Sequence, residues 1–109
     1  MTETPQERRH FPRHNVACPI KILDRSGGVS FETKTANLSR GGALFYVPAD
    51  RAPKANSTIE IGLSAPGADG KMDQFCCQAV VIRLQESQMP GQVGVAVAFT
   101  CPLPLKLKS

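Results

Sequence analysis

Val93-Gly94-Val95-Ala96-Val97-Ala98-Phe99 sets a larger apolar residue against a small one at every step. Period-two alternation of this kind marks a half-buried β-strand rather than a helix. Working back toward the N-terminus, the same kind of run recurs. Residues 75–84 are mostly apolar. Ile59, Ile61 and Leu63 alternate with Thr58, Glu60 and Gly62. Ala43-Leu44-Phe45-Tyr46-Val47 ends at Pro48. Val29, Phe31, Thr33 and Thr35 alternate with Ser30, Glu32 and Lys34, and Val16, Cys18, Ile20 and Ile22 with Ala17, Pro19 and Lys21. Between the runs lie turn and loop signals: Asp24-Arg25-Ser26-Gly27-Gly28, then 48–56, 65–73 and 85–90.

Six such runs without a credible long helix predict an all-β fold, a small six-stranded antiparallel barrel. Closure removes the exposed edges that an open sheet of this size would leave. Pro19 cannot donate to a ladder, so it belongs at an edge or bulge position. The expected organisation is a flexible arm over residues 1–14, a barrel over 15–101 and a short tail over 102–109. With two prolines the tail is an extra strand or a loose end.

The chain has 109 residues, a length that predicts one domain able to bury about two-thirds of its unfolded surface without staples. No apolar run approaches the roughly 18–20 residues needed to span a bilayer. The first residues are polar and charged, unlike a secretory signal. These features favour the cytoplasm. The net charge of +4 is modest for a nucleic-acid binder. Four cysteines, Cys18, Cys76, Cys77 and Cys101, form no C-x-x-C. They read as small buried hydrophobes in a reducing compartment. The two histidines, His10 and His14, both sit in the arm, so no zinc site or nucleophile–base pair is expected.

Two segments carry chemistry. Arg8, Arg9 and Arg13 lie within the arm segment Glu7-Arg8-Arg9-His10-Phe11-Pro12-Arg13, with Arg9 and Arg13 spaced R-x-x-x-R. Guanidinium groups offer a planar fork to phosphate and to the O6 and N7 acceptors of guanine, and a flat face for stacking. The second segment is Asn37-Leu38-Ser39-Arg40-Gly41-Gly42, an N-x-S-x-x-G. Asn37 can read the N1–H and N2 edge of guanine or hold a sharp turn. Ser39 can donate to phosphate or accept from a base. Gly42 permits a positive φ or a close ligand approach. By itself the arm could be a solvated tail, and the second segment an ordinary turn. Arg40 lies inside the turn and could assist with phosphate; Arg83 reads as a solvent-facing charge, and Phe45 and Tyr46 as packing residues.

Taken together, in this order, the two segments resemble the signature of the PilZ domain family. In that family an R-x-x-x-R arm precedes the first strand and a [D/N]-x-S-x-x-G follows the second. Residues 93–99 are similar to its closing strand. The resemblance implies a PilZ-type barrel that binds cyclic di-GMP without catalysis or cofactor. It implies guanine and phosphate contacts from Arg9 and Arg13 and guanine contacts from Asn37 and Ser39, with Gly42 completing the motif. Asn37 replaces the commoner aspartate and loses its charge. An arginine before the motif, here Arg8, goes with a stacked dimer of the dinucleotide. The implied output passes through an unidentified partner protein, in motility, biofilm or exopolysaccharide control. The rival readings are a PilZ-fold adaptor that binds no nucleotide and a small RNA- or DNA-binding barrel. The latter would call for exposed aromatics and broader positive charge.

Overall fold

A computed structural model describes residues 12–23, 26 and 28–107. Among the described residues six strands form, in sequence order: β1 (Pro19–Leu23), β2 (Val29–Leu38), β3 (Gly42–Pro48), β4 (Thr58–Pro66), β5 (Met72–Glu86) and β6 (Gln92–Phe99). A 3-10 turn, Ala49–Arg51, follows β3. The strands close into an antiparallel barrel in the order β1-β2-β3-β6-β5-β4, with β1 pairing β4 to complete it. The all-β barrel expected from the alternation is therefore the fold.

Alternation fixes which face is buried. Ile20, Phe45, Val47, Ile61, Leu63, Ala79, Val81, Val95 and Val97 point inward and form a continuous core. Their neighbours along each strand face outward. Pro19 is the first residue of β1, opposite Lys34, where a missing donor is tolerated. The run expected to be strand from Val16 becomes one only at Pro19. Ahead of it, the chain is held by Thr35, a buried polar residue on β2. Its Oγ1 donates to the Val16 carbonyl at 2.6 Å and accepts from the Cys18 N–H at 2.9 Å.

Two differences from the sequence reading concern the C-terminal end of the chain and its cysteines. The tail docks. Leu103 and Leu105 are buried against the core, the Leu103 N–H donates to the Arg40 carbonyl, and the Lys106 N–H to the Pro66 carbonyl. Of the four cysteines, all free, Cys18 is buried and Cys77 half-buried, whereas Cys76 and Cys101 are exposed. Burial pushes the Cys18 and Cys77 thiols up from their ordinary range; for Cys77 the neighbouring Cys101 and Cys76 add to the effect. Cys76 and Cys77 part because consecutive strand residues face opposite ways.

Two ladder irregularities shape the outer surface. On β2, Thr35 pairs with Phe45 and Asn37 with Leu44, leaving Ala36 as the extra residue of a bulge. On β5, Val81 pairs with Val97 and Arg83 with Ala96, so Ile82 is extra there. A bulge reverses the in–out phase of every residue beyond it.

Candidate functional site

Phase reversal at Ala36 positions Asn37. Counted from the inward Thr35, strict alternation would bury Asn37 and expose Leu38. In the structure Leu38 is fully buried and Asn37 is half-buried on the outer face, paired with the outward Leu44. The sequence pattern places Asn37 in the turn; in the structure it belongs to β2, and the turn begins after Leu38.

That turn is organised by Ser39, which is only 8% exposed. Its Oγ accepts from the Gly41 N–H and the Gly42 N–H, each at 3.1 Å. The Ser39 N–H donates to the Gly42 carbonyl at 2.9 Å. The hydroxyl is thus committed to its own loop. Of the two needs read for Gly42 in the sequence, a positive φ is not the one it meets, and the structure adds a third. A Cβ there would fall 2.3 Å from the Val97 carbonyl oxygen, so the residue is required by close approach of β3 to β6. Arg40 points its Nε at the Leu103 carbonyl, 3.1 Å away, and so ties the turn to the docked tail.

The arm reaches this turn. His14 and Leu38 exchange two backbone hydrogen bonds, N–H to carbonyl in both directions, each 2.9 Å. Arg13, exposed, precedes that bridge, while Asn37 and Ser39 flank it on the other side. Of the sequence-predicted site residues, Arg13, Asn37, Ser39 and Gly42 are therefore brought together. Arg8 and Arg9 lie outside the described residues. Beside the bridge, a cavity of about 270 Å³ is lined by Pro12, His14, Arg40, Leu105, Lys106 and Leu107, a basic border. The larger depression, about 690 Å³, lies at the start of β2 and includes Glu32 and Asp50. Those carboxylates suit an anion poorly, and the depression is some six residues, roughly 20 Å, from Asn37 along the strand.

The outer face next to Asn37 is low and apolar. Asn37, Leu44, Ala96 and Arg83 form one cross-strand row over β2-β3-β6-β5. The row on one side is Gly42, Ala98 and Val80; that on the other is Tyr46, Gly94 and Gln85. None of these positions carries a carboxylate. Tyr46 lies over Gly94, where a Cβ would come within 3.1 Å of its Cε1, while Phe45 is wholly in the core.

The PilZ domain model matches residues 7–108, nearly the whole chain. The chain belongs to the PilZ domain family. Its matched span takes in both the R-x-x-x-R segment, Arg9 to Arg13, and the N-x-S-x-x-G turn. Among solved structures, this PilZ chain is similar to the Bacillus subtilis inhibitor of motility MotI/DgrA, with a TM-score of 0.71 and 13% identity. The likeness covers 94% of this chain and 44% of that one, so the chain spans less than half of that protein's length. At such identity the likeness speaks to the fold alone. No curated protein matches the chain. Among the described residues, no group of three His, Cys, Asp or Glu side chains is placed to hold a metal ion, and no helix is long and apolar enough to cross a membrane.

Proposed function

We propose that this PilZ chain is a cyclic di-GMP receptor whose ligand binds the outer barrel face between Arg13 and Asn37. The observation that supports this reading is the paired His14–Leu38 bridge, because it holds Arg13 next to the chain segment that carries Asn37 and Ser39. Arg9 and Arg13 supply forks to phosphate and guanine, and Arg8 supports a second, stacked ligand molecule. Asn37 reads a guanine edge. Ser39 and Gly42 hold the loop that presents it, and Ser39 contacts guanine if the loop opens on binding. Ordering of the arm over the ligand changes the surface a partner protein meets, so the chain acts as a cytoplasmic effector rather than a catalyst. Motility, biofilm or exopolysaccharide control are the outputs this family membership suggests.

Isothermal titration with cyclic di-GMP, using GTP as control, tests the reading. A bidentate guanine contact is worth about 1–3 kcal/mol, against about 0–1 for an exposed ion pair. Arg13→Ala is therefore expected to weaken binding about tenfold or more while the melting transition stays in place. Arg13→Lys is expected to recover little, because the fork is lost. Near-wild-type affinity in Arg13→Ala would overturn the site. Absence of heat from the folded wild-type protein would overturn the receptor reading and favour a nucleotide-independent adaptor.

A further inference from the structure

The geometry points to Arg83 as a further ligand-contacting residue, closing the far end of the face that Asn37 opens. This inference rests on the cyclic di-GMP reading above and adds to it a residue outside both sequence motifs.

The argument begins with phase. Val81 points into the core. Without the bulge at Ile82, Arg83 would follow it inward, a charged group in an apolar barrel. With the bulge, Arg83 is exposed and pairs with the outward-facing Ala96. The bulge at Ala36 does the same for Asn37 on the other side of the β3-β6 pair. The two irregularities thus place two polar groups at opposite ends of a single cross-strand row, with Leu44 and Ala96 between them.

Dimensions and chemistry agree with a shared ligand. Three interstrand spacings separate β2 from β5 along this row, roughly 14 Å of backbone. The long side chain of Arg83 can lean back over Ala96 and shorten that span. Leu44 and Ala96 provide a low apolar floor, suited to the flat face of a purine. Gly42 and Ala98 keep the adjoining row equally low, and no carboxylate stands in any of the three rows. A compact dianion with guanine at one end would meet Asn37 there. At the other end its phosphate or second guanine would meet a guanidinium fork, the group that pairs with either one.

Titration of Arg83→Ala, Arg83→Gln and Arg51→Ala with cyclic di-GMP tests this, each beside the wild-type protein and Arg13→Ala. Arg51 is an exposed arginine whose Nη1 reaches the Ser30 carbonyl, beside the start of β2 and outside the proposed face, so its loss controls for net charge. The expected result is a weakening of about tenfold for both Arg83 variants, with unchanged melting without ligand and near-wild-type affinity in Arg51→Ala. Affinity within twofold of wild type in both Arg83 variants, alongside a weakened Arg13→Ala, would overturn the role of Arg83 and leave the receptor reading intact. Equal losses in the Arg83 and Arg51 variants would overturn it too, since bulk charge would then explain the effect. A wild-type protein that binds nothing would overturn both readings together.

Discussion

Gly42→Ala separates a packing role from a ligand role at the last position of the N-x-S-x-x-G segment. The added methyl would sit 2.3 Å from the Val97 carbonyl oxygen, a backbone atom that cannot rotate aside. Relief requires β3 and β6 to move apart at the Gly42–Ala98 and Ala43–Val97 pairs. Overpacking of this kind costs about 1–3 kcal/mol. Against it stands the gain of about 0.4–1 kcal/mol from a less flexible unfolded chain. Because the obstacle is backbone, the net loss falls in the upper part of that difference, about 2 kcal/mol, which in a domain of this size lowers the melting temperature by roughly 10 °C. Gly62→Ala is the matched control. It too lies in a strand, and the atom nearest to its added methyl would be the Lys21 Cβ at 4.0 Å. That variant should melt at or slightly above the wild type. Circular dichroism melts of the three proteins without ligand give the comparison. Should Gly42→Ala melt level with Gly62→Ala yet lose cyclic di-GMP binding, the steric argument would be refuted and ligand approach would be the reason for the glycine.

Two further outcomes test how the turn and tail hold the site. Ser39→Ala removes the acceptor of two N–H groups, Gly41 and Gly42. With those donors left unpaired, a loss of about 1–3 kcal/mol is expected in urea unfolding, seen as a lower midpoint at unchanged slope. An unshifted midpoint would show that water replaces the hydroxyl without cost. Leu105→Ala empties a position that is 7% exposed beneath the docked tail. Truncating a buried leucine costs about 2–5 kcal/mol, so a melting drop of about 10 °C or more is expected; no drop would mean that the tail's packing is not part of the cooperative fold.

Much of the barrel was legible because the runs beginning at Val29 and Val93 alternate cleanly and six such strands without a helix leave edges that closure removes. Both chemistry-bearing segments were legible as well, since arginine forks and an Asn/Ser/Gly turn are rare enough in this order to resemble one family. Three things were hidden for physical reasons. The role of Gly42 depends on how near β6 comes, which no local pattern records. Ser39 could be seen as polar but not as already bonded to Gly41 and Gly42. Tail docking depends on long-range contacts, Arg40 to Leu103 and Pro66 to Lys106, and the two prolines argued as well for a loose end.

The bulges are the most instructive of the hidden features, because the sequence held a sign of each. Alternation counted from Thr35 sends Leu38 outward and the amide of Asn37 inward; counted from Val81, it sends the guanidinium of Arg83 inward. Burying an unpaired charge costs far more than one ladder interruption. A polar residue that falls on the inward phase of an otherwise well-phased strand therefore argues for an extra residue just before it. Applied to β2 and β5, that rule moves Asn37 and Arg83 to the outer face together. It also explains why they share a row: each bulge sits one strand outside the β3-β6 pair, and Asn37 and Arg83 flank its Leu44–Ala96 step. Regular ladders through the same residues would turn Leu38 out of the core and point Asn37 and Arg83 into it, so neither group would face a ligand lying across that pair.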